Sequence, residues 1–296
     1  MGKSADERAV AGLSPGLYLV ATPIGSARDM TLRALDILAA ADVIAAEDTR
    51  TARKLMELHG VSVAGRPLVA YHDHNGPAAR PKLLQALGGG QSVAYVSEAG
   101  TPLVADPGYQ LVQAAIAQGD AVFAAPGASA ILAALCVAGL PSDRFIFAGF
   151  PPARGEKQRR WLKEQAQCDA TLVLYESAKR VHRLLVELAP IFSDETQMAL
   201  CRELTKRHEE VIRGSISEVA GVIANRTLKG EIVLVIGPRR RDQPDRENLE
   251  DALREALEKM GLKQAASDVA ELFGMPRREV YQLALAMKSR GASERE

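Results

Sequence analysis

The chain has 296 residues, 47% of them hydrophobic and 25% charged, an ordinary balance for a globular protein of two domains that argues against a disordered chain. Every apolar run is broken by Gly, Pro or a charge before it is long enough to span a bilayer, which argues against a membrane protein. Because 37 basic residues balance 37 acidic ones, any surface for nucleic acid has to come from local clusters of charge.

Short apolar, β-rich segments alternate with helical patterns from residue 17 to about residue 236. Before them, residues 1–15 have mixed charge and no apolar core, so we expect a disordered lead-in that is not a secretory signal. The predicted strands of the first half are 17–21, 42–46, 67–70, 92–96 and 121–125, with helices at 30–40, 50–59, 79–87, 109–118 and 129–138. This alternation predicts a mostly parallel sheet covered on both faces, in a first α/β domain over residues 16–138.

The character of the sequence changes at residues 139–142, where we expect a second α/β domain, residues 139–238, to begin. Its predicted strands are 145–148, 170–174, 197–201 and 231–236, with a polar helix at 156–167 after a proline-rich loop at 150–152. The stretch 205–214 is compatible with a further strand that runs into a turn. Its alternating pattern predicts a second sheet that is mixed, or antiparallel in part.

After a basic linker at residues 239–247, the pattern is purely helical over residues 248–291. Leu249, Leu253, Ala256 and Leu257 form one apolar stripe, and a helix, a turn containing Gly274 and a second helix follow. This order fits a helix-turn-helix domain. It fits equally well a plain helical module that packs on the second domain, and both interpretations stay open.

Neither the cysteines nor the histidines form a convincing metal site. Cys136, Cys168 and Cys201 are widely spaced, and an odd count without short spacings argues against a disulfide framework and a zinc cluster. We expect reduced thiols, as in a cytosolic protein. His72 and His74 directly follow a predicted strand, but without a Cys or a third His nearby their spacing is poor for zinc. We therefore expect no metal.

Polar, Gly and Pro residues concentrate directly after the predicted strands in both halves. In open α/β sheets, ligands bind at the carboxyl ends of strands, where loops converge. The turns concerned are residues 22–25, 47–50, 71–75, 97–102, 126–129, 175–177 and 202–206. They lack the glycine-rich fingerprints of dinucleotide and P-loop sites, since the glycines at 88–90 precede a strand. A site built from several loops suits a ligand with an adenosine and an amino-acid end better than a polyphosphate.

Nine short motifs resemble those of a known family in order and spacing. The motifs are TPIG at 22–25, AAEDTR at 45–50, HDHN at 72–75, SEAGTP at 97–102, DPG at 106–108, GLPS at 139–142, YES at 175–177, RELTK at 202–206 and GE at 230–231. Over about residues 16–237 the chain resembles the 16S ribosomal RNA (cytidine) 2′-O-ribose methyltransferases, which modify the decoding region of the small subunit. The C-terminal helices resemble the helix-turn-helix extension of that family. The family usually has Asp, Asn and Leu where this chain has Glu98, Ser26 and Ala125.

The resemblance implies two α/β domains of the tetrapyrrole-methylase fold, with a cofactor cleft between them and a small C-terminal helical domain. It implies S-adenosyl-L-methionine as cofactor, 16S ribosomal RNA in the small ribosomal subunit as substrate, a homodimer and a cytoplasmic enzyme. The cofactor-binding residues implied by the fold are Pro23, Ser97, Thr101, Pro102, Val104, Ala105, Asp106, Gly127, Ala128, Ser129, Ala130, Tyr175, Glu176, Ser177, Cys201, Gly230, Glu231 and Ile232. Glu176 is equally well placed to form an ion pair with Lys179 or Arg180.

The expected reaction needs a positioned hydroxyl and a base. Methyl transfer from a sulfonium requires orientation and a deprotonated or polarised hydroxyl, but no metal. We expect Asp73 or its neighbour His72 to help deprotonate the ribose hydroxyl, with a plain hydrogen-bonded loop as the structural alternative. Glu47 and Asp48 are a second pair of candidates, for which the alternative is a capped helix start.

Local clusters of basic residues are the predicted RNA surface, because phosphate contacts come mainly from Lys and Arg. The predicted RNA-binding residues are Arg50, Arg53, Arg154, Lys157, Arg159, Arg160 and Lys206. His74 and Asn75, which follow the candidate base Asp73, are also predicted to bind RNA. Arg277 and Arg278 form a further cluster in the C-terminal helices. The structural alternative for each cluster is an ordinary solvated face.

Two other functions stay open at this point. A tetrapyrrole methylase proper would share the fold and the cofactor but act on a macrocycle; the motifs at 47–50 and 72–75 and the appended helices argue against it. A transcriptional regulator would bind DNA through the C-terminal helices. However, the candidate recognition helix near residues 277–287 has few polar side chains that can read bases.

Overall fold

The structure is a computed structural model that describes residues 12–63, 65–72, 74–238, 246–273 and 275–293. These residues form two compact units, one ending at Pro238 and one made of the C-terminal helices. The first unit contains two five-stranded sheets. The candidate base Asp73, the turn residue Gly274 and most of the predicted lead-in and linker lie outside the described residues.

The first sheet is parallel, with the strand order β3-β2-β4-β1-β5. Its elements are β1 (Gly16–Val20), α1 (Leu32–Ala40), β2 (Val43–Ala46), α2 (Thr49–Leu58), β3 (Leu68–Ala70), α3 (Gly76–Gly88), β4 (Ser92–Val96), α4 (Tyr109–Gln118), β5 (Val122–Ala125) and α5 (Ala130–Ala138). Both faces are covered, because Leu17 packs in one hydrophobic cluster with Leu83, and the next residue, Tyr18, packs in another with Ile37. This confirms the predicted parallel α/β layer.

The second sheet is mixed, with the order β6-β7-β10-β8-β9, as the sequence predicts. Its elements are β6 (Phe145–Phe147), α6 (Glu156–Gln165), β7 (Thr171–Ser177), α7 (Val181–Phe192), β8 (Gln197–Arg202), β9 (Glu210–Ser215), α8 (Ile216–Ile223) and β10 (Glu231–Ile236). β6 pairs with β7 in parallel, and the other pairings are antiparallel. The strand predicted at 205–214 begins only at Glu210, because Glu203 and Thr205 adopt left-handed backbone conformations with φ of 51° and 63° and form a turn.

Helix α5 connects the two sheets. It follows the last strand of the first sheet, yet Ile131 and Leu135 pack in a cluster with Val173, Cys201 and Val235 of the second sheet. The two sheets are therefore held together by a shared apolar layer. The domain boundary at residue 139 stays a prediction.

The C-terminal unit consists of α9 (Arg246–Lys259), α10 (Leu262–Phe273) and α11 (Arg277–Ser293). Leu249 and Leu253 of the predicted stripe are buried together with Val269, Val280 and Ala284, so one apolar cluster joins all three helices. Throughout the described part of the chain, no helix combines the length and the apolar character needed to cross a membrane.

Candidate cofactor site

A cavity of about 460 Å³ lies between the two sheets, within the size range of small-molecule sites. From the first sheet it is lined by the loops after β1 and β4 and by the start of α5. From the second it is lined by the loop after β6, the end of β7 and the start of β10. The lining residues are Ile24, Glu98, Ala99, Gly100, Thr101, Val104, Ala105, Asp106, Ser129, Ala130, Phe150, Tyr175, Glu176, Ser177, Gly230, Glu231, Ile232 and Val233.

Most of the predicted cofactor-binding residues meet at this cavity. They are Thr101, Val104, Ala105, Asp106, Ser129, Ala130, Tyr175, Glu176, Ser177, Gly230, Glu231 and Ile232. The other predicted residues lie outside its lining: Pro23, Ser97, Pro102, Gly127, Ala128 and Cys201. The turns of both halves, far apart in the sequence, thus come together around one space.

Several of the residues outside the lining shape the loops instead. The Ser97 hydroxyl is buried and donates to the Gly100 carbonyl at 2.7 Å, and the Ala128 carbonyl accepts a hydrogen bond from Thr101 Oγ1 at 3.0 Å. Cys201 lies inside β8 with its side chain fully buried against α5. Burial raises the pKa of its thiol to about 11, so Cys201 is a core residue and not a nucleophile.

The loop after β4 has an unusual backbone. Leu103 and Ala105 have φ of 73° and 60°, a left-handed conformation that costs a residue with a Cβ roughly 1–2 kcal/mol. The loop keeps this shape because Thr22 and Gly100 exchange backbone hydrogen bonds at 2.9 and 3.1 Å, in addition to the bond from Thr101. The result is that Asp106 is presented to the cavity.

Asp106 differs from Glu176 and Glu231, two other acidic residues of the lining, in its hydrogen bonding. Its Oδ2 is buried and has no hydrogen-bond partner in the described structure. Burial, followed by repulsion from Glu47 and Glu98, raises the pKa of its carboxyl to about 7. By contrast, Glu176 accepts from Arg180 Nη2 at 2.9 Å, and Glu231 lies 2.7 Å from the Lys206 ammonium. Asp106 is therefore suited to receive a cationic group of a ligand.

An aromatic wall forms the side of the cavity made by the second sheet. The Tyr175 ring contacts the rings of Phe147 and Phe150 edge-on, at centroid distances of 4.8 and 5.6 Å. Burial, then Asp106 and Glu231, raises the pKa of Tyr175 to about 12, so its phenol stays protonated. Phe150 is 60% exposed, so its ring is accessible to a ligand in the cavity.

Six residues of the cavity lining were not predicted as cofactor-binding residues from the sequence. These are Ile24, Glu98, Ala99, Gly100, Phe150 and Val233. Glu98 to Gly100 belong to a turn that the sequence did select, so proximity along the chain was the available signal. The signal for Phe150 was its position in a proline-rich loop, where an apolar ring is not needed for the core. Ile24 belongs to the selected turn 22–25, and Val233 lies inside a predicted strand, where it resembles an ordinary core residue.

The predicted catalytic residue Glu47 follows β2, the neighbour of β4, and its Oε2 accepts from the Glu98 N–H at 3.4 Å. Asp48 is the N-cap of α2, and its Oδ1 accepts from Arg50 N–H at 2.7 Å and from Thr51 N–H at 3.3 Å. The Arg50 side chain and these N–H groups lower the pKa of Asp48 to about 2. The capped helix start, stated above as the alternative, is what the structure shows for Asp48.

His72 lies just after β3, the edge strand that neighbours β2. Its N–H donates to Asn75 Oδ1 at 2.8 Å, and Asn75 Nδ2 donates to the Ala70 carbonyl at 2.9 Å, so Asn75 shapes this loop. The rings of His72 and His74 are 6.1 Å apart. Within the described ranges, there is no group of three or more His, Cys, Asp or Glu residues that could hold a metal ion.

The predicted RNA-binding residues lie on separate elements, and several have acidic partners. Arg159 makes two hydrogen bonds to Glu187, at 2.6 and 3.1 Å, and Arg160 lies 3.9 Å from Glu164. The Lys206 ammonium lies between Glu203, at 3.0 Å, and Glu231, and Arg50 pairs with Asp48. Among the predicted Lys and Arg residues, Arg53, Arg154 and Lys157 are exposed, and the described structure shows no ion pair for them.

Two glycines allow close approaches beside the cavity, Gly25 between the two halves and Gly230 within the second half. A Cβ on Gly25, in the loop after β1, would lie 2.5 Å from Lys206 Cγ and 2.6 Å from Thr205 Oγ1. The next residue, Ser26, donates its N–H to Thr205 Oγ1 at 3.1 Å. Gly230 has φ of +90°, and a Cβ there would overlap the Glu203 side chain. The glycines of the TPIG and GE motifs therefore have a steric role in closing the cavity.

Comparison with known proteins agrees with this architecture. Residues 16–220 match the family of Tetrapyrrole (Corrin/Porphyrin) Methylases, and residues 242–288 match the RsmI C-terminal HTH domain. A cobalt precorrin-4 methyltransferase is 17% identical, with a TM-score of 0.57 over 75% of this chain and 94% of that one. A uroporphyrin-III C-methyl transferase from Thermus thermophilus, complexed with S-adenosyl homocysteine, is 19% identical, with a TM-score of 0.53 over 76% and 99%. At these identities the likeness establishes the fold.

A closer relative narrows the class. The ribosomal RNA small subunit methyltransferase I of Mesorhizobium japonicum is 44% identical over 277 residues, which cover 93% of each chain. The chain belongs to the tetrapyrrole methylases and, among them, to the family of ribosomal RNA small subunit methyltransferase I. This confirms the predicted family, the fold class and the methyltransferase class of enzyme.

Proposed function

We propose that this chain transfers a methyl group from S-adenosyl-L-methionine to the 2′-hydroxyl of a cytidine ribose in the decoding region of 16S ribosomal RNA. The observation that carries the proposal is the cavity between the sheets, where turns from both halves meet around Asp106, whose Oδ2 is buried and has no hydrogen-bond partner in the described structure. A relative at 44% identity that is named for methylation of small-subunit RNA supports the substrate class. The enzyme would act in the cytoplasm, as a homodimer, on the small ribosomal subunit.

The lining fits the proposed cofactor in charge and shape. S-adenosyl-L-methionine carries two cationic groups, an ammonium and a sulfonium, and Asp106 offers a carboxylate without a competing partner. The exposed ring of Phe150 and the aliphatic side chains of Ile24 and Val233 offer an apolar surface for the adenine. Glu176 and Glu231 are neutralised by Arg180 and Lys206, so we assign them a positioning role at the cavity.

The reaction needs a group that removes a proton. When bound, the cofactor supplies a methyl carbon that the 2′-oxygen attacks while the carbon–sulfur bond breaks and its electron pair passes to sulfur. We propose that His72 or Asp73 takes the hydroxyl proton. Since β2 lies beside β4 and β3 lies beside β2, the turns with Glu47 and His72 continue the same sheet edge away from the cavity, where the ribose would enter. Asp48, with both oxygens engaged and a pKa of about 2, is a poor base at neutral pH.

Exposed cations of both halves are the proposed phosphate contacts. Arg50 and Arg53 lie on α2, directly after the Glu47 turn, and Arg154 and Lys157 lie at the start of α6. Phosphate binding by such residues depends strongly on salt. Arg159 and Lys206 are held by carboxylates, so we assign them to the structure of the protein itself.

The test is methyl transfer from labelled cofactor to small ribosomal subunits isolated from a strain that lacks the enzyme, with the modified nucleotide mapped. We expect one 2′-O-methylated cytidine in the decoding region. His72→Ala or Asp73→Ala should lower turnover at saturating substrate by roughly 100-fold or more. Label on a base, or on no ribosomal RNA, would refute the proposed function. Unchanged turnover in both variants would refute the assignment of His72 or Asp73 as the proton acceptor.

A further inference from the structure

The C-terminal unit contains a second cleft, which the proposed reaction does not use. It has a volume of about 1010 Å³ and lies where α10 and α11 both begin. The residues that line it are Gly261, Leu262, Lys263, Gln264, Ala266, Ser267, Arg277, Arg278 and Tyr281. Its lining thus combines cations, polar groups and one aromatic ring, a composition typical of a ligand site and not of a packing defect.

The cleft is positively charged in a chain whose net charge is zero. Lys263, Arg277 and Arg278 are exposed, and the described structure shows no ion pair for any of them. The lining contains no carboxylate. The nearby Asp268 accepts a hydrogen bond from Gln264 at 2.7 Å. The N-terminal ends of α10 and α11 add their partial positive charge to these three cations, so the cleft favours an anion.

One aromatic ring lies beside the cations. Tyr281 lines the cleft and is 40% exposed. It follows Arg277 and Arg278 by four and three positions on α11, so all three lie on one face of the helix. Lys263 and Ser267 are related in the same way on α10. The two helices therefore present cations and a stackable ring on the two sides of one cleft.

We propose that this cleft binds an unpaired segment of RNA, with Lys263, Arg277 and Arg278 on successive phosphates and a base stacked on Tyr281. A groove of cations beside an exposed aromatic ring is the arrangement by which proteins hold single-stranded nucleic acid. The choice of ribosomal RNA as the ligand rests on the proposed function. The cleft would add affinity for the substrate without touching the reacting ribose.

Duplex DNA fits these observations less well. Reading base edges in a major groove requires a helix face with polar side chains of suitable geometry. Over residues 281–287, the part of α11 beyond its first turn whose side chains the structure describes, the exposed residues are Tyr281, Gln282, Leu285 and Ala286, and among these Gln282 is the one amide that can pair with a base edge. The cations line a cleft at the start of the helix, a concave shape that suits a flexible strand better than a rigid duplex.

The test measures binding of the full chain to an RNA fragment of the decoding region by fluorescence anisotropy. We expect the double variant Arg277→Gln/Arg278→Gln to bind at least tenfold more weakly at 0.1 M salt. The slope of log affinity against log salt should fall in magnitude by about 1.4, since each phosphate contact to a single strand contributes about 0.7. Tyr281→Leu should weaken binding about fivefold or more, and Tyr281→Phe should retain it, because stacking needs the ring and not the hydroxyl.

Arg254→Gln is the matched control, since Arg254 is an exposed arginine of the same unit that pairs with Asp251 at 2.6 Å on α9. An equal loss in this control, no loss in the double variant, or equally tight binding of duplex DNA would overturn the proposal. Two measurements, methylation by the wild type and RNA binding by the cleft variants, separate this inference from the proposed function. If the wild type methylates the RNA but the cleft variants bind it normally, this inference fails alone. If the variants lose RNA binding but the wild type does not methylate ribosomal RNA, the proposed function fails alone.

Discussion

Burial changes the chemistry of Asp106 more than that of the other acidic residues in the cavity lining. The strained turn after β4 places its carboxyl in the cavity, with Oδ2 unpaired within the described structure, and its pKa rises to about 7. Since a raised carboxyl pKa favours the neutral form, this group stabilises the fold fully below its ordinary pKa of 3.8. The contribution is lost as the pH rises through about 7. A cationic ligand would reverse the preference and favour the carboxylate.

The affinity for the cofactor should therefore depend on pH. Only the ionised form of Asp106 can pair with a cation, so the affinity for S-adenosyl-L-methionine should rise about tenfold between pH 6 and pH 8. Asp106→Asn should bind more weakly at pH 8 and show no such rise. Calorimetric titrations at the two pH values measure this. Glu231→Gln is the control, because its carboxylate is already paired with Lys206, and it should keep the rise. A rise that persists in Asp106→Asn would show that another group titrates.

Single residues also show how far the sequence can predict this site. The turns of the cavity could be selected because polar residues, Gly and Pro follow each strand. Whether each side chain is buried or paired could not be predicted, since burial and pairing depend on residues far along the chain. From the sequence, Glu176 could either bind the cofactor or form an ion pair with a residue such as Arg180. In the structure it lines the cavity and also binds Arg180. The burial of Asp106 Oδ2 and its missing partner in the described structure have no sequence signature.

At the scale of elements, the regular first sheet could be predicted well and the second sheet less well. The central strands β1, β2 and β4 are buried on both faces, and all five strands appear as apolar runs between helices. Helices α7 and α8 were not predicted. An internal Pro190 obscures α7, and α8 has only eight residues. A signal for α8 was present, since Ser215 and Glu218 form a capping box at its start.

The start of α7 holds the second sheet to the loop that bears Phe150. Arg180 Nη2 donates to the buried Glu176 at 2.9 Å and to the Pro151 carbonyl at 2.8 Å. Arg180→Leu leaves Glu176 as a buried charge without this partner, so we expect the free energy of unfolding to fall by about 3 kcal/mol. Urea unfolding followed by the fluorescence of Trp161, which packs against the core of the second sheet, measures the change.

Arg159→Leu is the matched control for that substitution. Arg159 is 62% exposed in its pair with Glu187, and a surface pair contributes less than about 1 kcal/mol. Equal losses of unfolding free energy in the two variants would mean that burial of Glu176 has no energetic consequence.

At the scale of the whole molecule, the candidate site belongs to neither sheet alone. Helix α5 packs against the second sheet, and the contact between Gly25 and Thr205 brings the two halves together beside the cavity. The sequence could predict turns at the strand ends of both halves, but not which faces meet. That information depends on long-range packing, which a single sequence does not reveal without a known family.

Calorimetric titration of the full chain with S-adenosyl-L-methionine tests most directly whether the two sheets enclose the cofactor. We expect one molecule bound per chain in the wild type and in Leu132→Trp, whose position on α5 is 54% exposed and outside the cavity lining. Ser129→Trp, at the start of the same helix, should abolish binding because its ring fills the cavity, and it removes no side-chain cap. Binding that survives Ser129→Trp, or no binding by the wild type, would contradict the account.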